Sequence, residues 1–136
     1  MAGYSGTPLV KKLGIKDGYN ILIANAPTGF EQQLQLPEGV TLNGKARGSR
    51  DFVLFFAKTQ HVLEKEFSRY AAKLTPAGML WVSWPKKTSG VQSDLNENVV
   101  REIGLAKGMA DVKVCAIDEV WSGLKFVLRL KDRPKK

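Results

Sequence analysis

Residues that could bind an anion follow the first long apolar run of the chain. The run Tyr19–Ala24 leads into the segment Asn25–Gly29 and then into an amphipathic stretch. We interpret the segment as a turn before a helix capped by Thr28, whose free N–H groups and positive dipole end suit a carboxylate or a phosphate. Lys86 and Lys87 follow a later apolar run and would add positive charge. The alternative is that Thr28 only caps its helix and that the lysines are solvated.

Three further side chains lie at or near predicted loops. Trp84 ends an apolar run, where it could stack on a ligand or pack in the core. Asp118 and Trp121 belong to the last loop, where they could reach a ligand or fix a hairpin through hydrogen bonds to the backbone. The sequence leaves both alternatives open.

Groups for catalysis or metal binding are scarce. The chain has one histidine, His61, and one cysteine, Cys115, so a zinc site built from these ligands is not expected. His61 falls on the first turn of an amphipathic helix, and Cys115 lies within a strand as a small core residue. The aspartates are explained by turns or caps. We therefore assign no catalytic residue and expect no metal.

Composition narrows the class of protein. The 136 residues suit one α/β domain, predicted at 1–131, with a basic tail at 132–136. No apolar run approaches the roughly 18–20 residues that span a bilayer, and no signal peptide is recognisable, so we expect no membrane association. The single cysteine fits the reducing cytoplasm. The net charge of +8 favours anionic partners; the C-terminal basic residues indicate a solvated tail or, alternatively, a nucleic-acid contact.

Three apolar runs without alternation predict strands that are buried on both faces, as in parallel sheets. They are Asn20–Asn25, Asp51–Ala57 and Met79–Trp84. Helices are expected at 29–36, from Thr59 to Leu74, and from a cap at Asp94 to Gly108. A weak strand at 39–42 and a final pair, Asp111–Ile117 and Leu124–Leu130, complete the pattern.

This alternation predicts a three-layer α/β fold with an open, mostly parallel sheet and a C-terminal antiparallel hairpin. The weak strand and the second long strand would flank the first on opposite sides. The strand order then reverses between Asn20–Asn25 and Asp51–Ala57. Ligands of such sheets bind outside the carboxyl ends at this switch point.

The sequence resembles an uncharacterised bacterial family of small methyltransferase-like domains of unknown function. Four motifs carry the resemblance: Tyr-Ser-Gly-Thr-Pro-Leu at Tyr4–Leu9, Trp-Pro-Lys-Lys with Ser-Gly-Val at Trp84–Val91, Val-Cys-Ala-Ile-Asp at Val114–Asp118, and Trp-Ser-Gly-Leu at Trp121–Leu124. The resemblance covers nearly the whole chain. It implies a truncated methyltransferase-like fold and, as a cofactor to be tested, S-adenosylmethionine.

The chain departs from the usual methyltransferase pattern where the cofactor binds. Methyltransferases follow the first strand with Gly-x-Gly-x-Gly, which lets the backbone approach the cofactor. Here residues 25–29 keep only Gly29, and Pro27 removes an N–H donor. No acid ends the second strand, where Asn43 is the nearest polar residue. The interval from Asn43 to Asp51 is too short for a further helix–strand–helix unit.

The sequence therefore predicts a methyltransferase-like domain with a degenerate cofactor loop, which is non-catalytic or binds a small anionic ligand or a protein partner. The alternatives are an active small S-adenosylmethionine-dependent methyltransferase and a basic nucleic-acid-binding protein. The candidate ligand-binding residues are Asn25, Pro27, Thr28, Gly29, Trp84, Lys86, Lys87, Asp118 and Trp121.

Overall fold

A computed structural model describes residues 8–42 and 49–129 of the chain. Its helices are α1 (Leu9–Leu13), α2 (Gln60–Ala71) and α3 (Glu97–Ala106), and its strands are β1 (Asn20–Ala24), β2 (Thr41–Leu42), β3 (Arg50–Phe56), β4 (Leu74–Pro85), β5 (Met109–Ala116) and β6 (Trp121–Leu128). Short 3-10 turns occupy Phe30–Gln33 and Lys87–Ser89. The motif at Tyr4–Leu9, most of the predicted loop 43–50 and the predicted basic tail lie wholly or partly outside the described residues.

The six strands form one sheet in the order β2-β1-β3-β4-β6-β5. β1 pairs in parallel with β2 and β3, and β3 pairs in parallel with β4, with Leu22 opposite Val53 and Val53 opposite Leu80. β6 is antiparallel to both β4 and β5. The predicted mixed sheet, its C-terminal hairpin and the switch point between β1 and β3 are confirmed.

A hydrophobic core lies on each face of the sheet. α2 and α3 cover one face, where Leu63, Phe67, Val100 and Ile103 pack against Phe126. α1 and the 3-10 turn Phe30–Gln33 lie on the other face, over the core that contains Trp81 and Phe56. Layers on both faces agree with the predicted three-layer architecture.

β4 is longer than the sequence predicts. We expected Leu74 to lie on a helix face and Thr75–Gly78 to break the chain, but β4 begins at Leu74. Residues 75–78 stand opposite the single residue Asp51, because Leu74 pairs with Arg50 and Met79 pairs with Phe52. A bulge of this kind accommodates Pro76, which cannot donate to a regular ladder.

The start of α3 and the hairpin also differ from prediction. Asn96, not Asp94, caps α3 by accepting the N–H of Val99. The buried residues of α3 are Val100, Ile103 and Gly104, whereas Ala106 at its end is exposed. The predicted loop 118–123 is shorter in the structure, because β6 already begins at Trp121.

No helix within the two described ranges is long and apolar enough to cross a bilayer.

Candidate functional site

The segment after β1 is a tight turn that does not open a long helix. Asn25 has a left-handed φ of 61° and Gly29 has a φ of 84°. The N–H of Phe30 donates to the carbonyl oxygen of Pro27 at 3.1 Å, which closes a four-residue turn with Gly29 at the position that requires a positive φ. Gly29, not Thr28, is the N-cap residue, and the turn is followed by only four 3-10 residues. The predicted Thr28 cap is wrong, and an anion site built on a helix dipole is not supported.

Aromatic side chains fill the space beside this turn. Phe30 is 1% exposed and packs edge-on against Phe56, the last residue of β3, with ring centroids 4.9 Å apart. Phe56 in turn contacts Trp121 edge-on at 5.0 Å. Phe30 follows β1 and Phe56 ends β3, so the two chain segments that would part around a ligand at the switch point pack against each other.

The space that remains at the turn is small. A cavity of about 240 Å³ is lined by Ile23, Ala26, Pro27, Gly29, Phe30, Glu31 and Gln32. Ligand pockets usually measure about 300–1,000 Å³ and bury most of their ligand. The cavity beside Asn25–Gly29 lies below that range.

The predicted hairpin residues have structural roles. Asp118 accepts hydrogen bonds through Oδ1 from the N–H groups of Val120 at 2.8 Å and Trp121 at 2.9 Å, so its carboxylate holds the turn. Trp121 is only 7% exposed and belongs to the core on the α1 face. The hydroxyl of Ser83 donates to the carbonyl oxygen of Ser122 at 2.8 Å, which ties β4 to β6 next to this turn.

Trp84 is not at the turn after β1. It is 5% exposed and packs in the core under α2 and α3, whereas Trp81 packs on the opposite face. The two indoles thus face opposite sides of the sheet, as their spacing in a strand predicts. Trp84 therefore exposes little surface to a ligand, and what it exposes lies on the face that α2 and α3 cover.

Lysines remain available at the carboxyl edge of the sheet. Lys58 lies two residues after the end of β3 and is exposed, Lys86 follows β4 and is half-buried, and Lys87 is exposed. Hydrogen bonds hold the loop that carries Lys86 and Lys87 in place. The N–H of Lys86 donates to the carbonyl oxygen of Val120 at 2.7 Å, and the hydroxyl of Ser89 donates to the carbonyl oxygen of Lys86 at 2.6 Å. We call Lys58, Lys86 and Lys87 the lysine rim.

Among the described residues, no acidic side chain forms an ion pair with the rim. The ion pairs between described residues join Arg69 to Glu66 and Arg101 to Glu97 and Asp111, and none of them includes a rim lysine. These side chains can therefore offer their charges to an anion at the edge where β3 and β4 end.

The other titratable candidates lie apart from the rim. His61 is exposed on α2. Cys115 lies in β5, and burial raises the pKa of its thiol, while the charges of Lys12 and Lys113 oppose that rise. A thiol with a raised pKa is a poor nucleophile at neutral pH. Across residues 8–42 and 49–129, no three His, Cys, Asp or Glu side chains are grouped to hold a metal ion.

The sequence offers Phe30, with Pro27 and Trp84, as a residue that could fill the crevice beside Asn25–Gly29, but sequence reasoning missed Phe56 as its partner. β3 carries Phe52, Leu54 and Phe56 at alternate positions, which places them on one face of the sheet. That alternation is present in the sequence. The packing of Phe30 onto this face also needs the path of the turn after β1, and the sequence does not provide it.

Solved structures share this fold. No protein-family model and no curated protein matches the sequence. The chain is similar to magnesium protoporphyrin IX methyltransferase (ChlM) from Synechocystis PCC 6803 with bound SAM, at 14% identity and a TM-score of 0.58, over 89% of this chain and 74% of that one. It is also similar to a SAM-dependent methyltransferase from Aquifex aeolicus, at 13% identity and a TM-score of 0.63, over 87% of this chain and 86% of that one. The chain therefore has a methyltransferase-like Rossmann fold.

Proposed function

We propose that this chain is a methyltransferase-like binding domain that recognises a small anionic molecule at the lysine rim and does not transfer a methyl group. The packing of Phe30 on Phe56 carries the proposal, because it closes the switch point where this class of sheet binds its ligands. A methyl donor needs that space open. Without a bound methyl donor, this chain would recognise its anionic ligand and would not modify it.

The charges at the rim favour an anionic ligand. Lys58 and Lys86 lie at the ends of two neighbouring parallel strands, and Lys87 extends the positive charge along the next loop. A carboxylate or a phosphate, free or at the end of a protein side chain, can accept charge-assisted hydrogen bonds from such groups. The turn after β1 lies at the same edge, where Asn25 and Thr28 are exposed.

Titration with inorganic phosphate and pyrophosphate tests the rim. We expect saturable amide shifts in NMR spectra at residues 58 and 86–90. Replacing Lys86 or Lys87 with Ala should weaken binding about tenfold, as expected for loss of one charge-assisted hydrogen bond. Lys65→Ala, which removes an exposed lysine from α2, is the matched control. Unsaturable shifts, or equal weakening by the control, would refute an anion site at the rim.

A second candidate is an S-adenosylmethionine-dependent methyltransferase with an atypical loop. It is favoured by the neighbours that were crystallised with SAM and with SAH, the latter matching this chain with a TM-score of 0.56. Under this alternative Phe30 would have to leave Phe56 when the cofactor binds.

Isothermal titration with S-adenosylmethionine and S-adenosylhomocysteine separates the two candidates. Our proposal expects no micromolar binding to the wild-type protein. Micromolar binding that is lost in Gly29→Val or Pro27→Gly would overturn our proposal and favour the methyltransferase alternative, because these changes alter the turn and leave the rim lysines in place. Phosphate titration of the same variants shows whether the rim still functions.

A further inference from the structure

Two lysines of the final hairpin lie directly opposite each other. Lys113 of β5 pairs with Lys125 of β6 in the antiparallel register. Opposite residues of an antiparallel pair point to the same face with Cβ atoms about 4.5–5.5 Å apart, and like charges at such positions are destabilising. Lys125 is also opposite Trp81 on β4, which identifies the face as the one that α1 covers.

α1 brings two more lysines to this surface. The indole N–H of Trp81 donates to the carbonyl oxygen of Leu13 at 2.9 Å, which fixes α1 over the sheet. Burial lowers the pKa of Lys125, and the nearby charges of Lys113 and Lys16 lower it further. Lys12 lies close enough to Cys115 to act on its thiol. We call Lys12, Lys16, Lys113 and Lys125 the lysine face.

No acidic side chain in residues 8–42 and 49–129 forms an ion pair with the lysine face. Within the described part of the chain, none of its members takes part in an ion pair. The lysine face is separate from the lysine rim. Trp81, which lies opposite Lys125, and Pro85, which precedes Lys86, are four residues apart on β4, or about 13 Å. The two surfaces can therefore be tested with different variants.

We propose that the lysine face binds the phosphate backbone of double-stranded nucleic acid without reading its sequence. Four cations without a counter-ion match a polymer that carries one phosphate per roughly 3.4 Å of each strand. The chain as a whole carries a net charge of +8, which attracts such a polymer.

The same surface is less suited to an acidic protein or to single strands. Trp81 is fully buried and Cys115 is half-buried, so among the described residues the lysines surround no exposed apolar anchor of the kind that dominates protein interfaces. Within the same described ranges, no exposed aromatic ring is placed there to stack on unpaired bases. The lysine face is therefore best suited to contacts with the phosphate backbone of a nucleic acid.

Salt dependence tests the proposal. The affinity of the full chain for a 20-base-pair DNA duplex is measured by fluorescence anisotropy between 0.05 and 0.2 M salt. Each phosphate contact contributes about 0.9 to the slope of log affinity against log salt, so Lys113→Gln/Lys125→Gln should reduce the slope by about 1.8. Across this range the wild-type protein should then lose about tenfold more affinity than the variant. Two duplexes of unrelated sequence should give the same result.

The matched control is Lys65→Gln/Lys73→Gln, which removes the same charge from exposed positions on α2 and just after it. An equal change of slope in both double variants would overturn the proposal, because the effect would then reflect net charge alone. Tighter binding of polyglutamate with the same charge as the duplex would also overturn it, in favour of an acidic protein partner.

The single cysteine reports where the duplex binds. Cys115 lies near Lys12 and Lys113, whose charges act on its thiol, so bound duplex should slow its alkylation by iodoacetamide at least severalfold. Raising the salt concentration until the duplex dissociates should restore the rate. Binding by anisotropy without protection of Cys115 would place the duplex elsewhere and refute the assignment.

Discussion

A methyl group added at Gly104 of α3 would lie 2.1 Å from Cε1 of Phe126. Phe126 is fully buried and packs edge-on against Phe67 at 5.4 Å, so it has no free direction in which to move. Alanine would favour the helix by about 1 kcal/mol, whereas overpacking costs about 1–3 kcal/mol. We expect Gly104→Ala to lower the free energy of unfolding by up to about 2 kcal/mol in urea denaturation.

The control for this prediction is Glu102→Ala, an exposed substitution in the same helix that should change stability by less than about 0.5 kcal/mol. A Gly104→Ala protein as stable as the wild type would mean that α3 can shift away from β6.

The burial of Lys125, together with its like-charged neighbours, makes stability depend on pH. Because burial and then Lys113 and Lys16 lower the pKa of folded Lys125 below 10.5, the unfolded chain holds this proton more firmly than the folded one. Wild-type stability should therefore rise as the pH passes through the folded pKa towards 10.5. Lys125→Met should be more stable than the wild type at pH 8, by about 0.2–1 kcal/mol.

This advantage of Lys125→Met should shrink as the pH is raised to 10, and urea denaturation at the two pH values measures it. Lys65→Met, on an exposed surface of α2, should show no such narrowing. An advantage that stays constant with pH would contradict the lowered pKa.

The sheet face of a single residue was predictable where it follows from alternation along one strand. The opposite orientation of Trp81 and Trp84 follows from their spacing alone. The roles of Phe30 and Asp118 depend on partners that are distant in sequence or on the exact turn. Phe30 meets Phe56 only because β1 and β3 are neighbours, and neither aromatic residue has a motif of its own.

At the scale of elements, the loop before α3 forms hydrogen bonds with the first turns of both α2 and α3. Asp94 accepts the N–H of Gln60, the first residue of α2, at 2.8 Å, and Asn96 accepts the N–H of Val99 in α3 at 2.9 Å. Both bonds satisfy amides that a helix start leaves free. We expect Asn96→Ala and Asp94→Ala each to cost about 1 kcal/mol in thermal or urea unfolding, as cap substitutions usually do.

The unfolding midpoint does not distinguish the two substitutions, because both lower stability by a similar amount. Amide hydrogen exchange distinguishes them, because it reports on each helix separately. Asp94→Ala should speed exchange at the start of α2, and Asn96→Ala should speed it at the start of α3. Asn98→Ala, exposed and within α3, serves as the control. Faster exchange in α3 after Asp94→Ala would restore the original assignment of Asp94 as its cap.

The sequence predicted most elements correctly in type, because the apolar runs and the helical spacing are strong local signals. It misplaced the beginning of β4 and of β6. Thr75–Gly78 contains proline and glycine, which normally end a strand, yet the bulge opposite Asp51 carries them inside the sheet. Trp121–Gly123 continues β6 because Asp118 closes the turn early through two backbone hydrogen bonds.

At the scale of the whole molecule, strand order and switch point follow from the alternation of strands and helices and from right-handed crossovers. Whether the switch point is open does not follow from topology. A similar fold occurs in a methyltransferase solved with bound SAM and in this chain, in which Phe30 and Phe56 meet across the position. A fold of this kind hosts its function in the loops at the carboxyl edge.

The excess of positive charge should make the whole molecule more stable as salt is added. A net charge of +8 produces self-repulsion in the compact state, and mobile ions screen it over about 10 Å at 0.1 M. We expect the urea midpoint to rise between 0.01 and 0.2 M sodium chloride. The rise should be smaller in Lys113→Gln/Lys125→Gln, which relieves the closest repulsion, than in Lys65→Gln/Lys73→Gln, which removes the same charge from exposed positions. A midpoint that falls with salt would mean that attractive ion pairs, such as those of Arg101, outweigh the repulsion among the lysines.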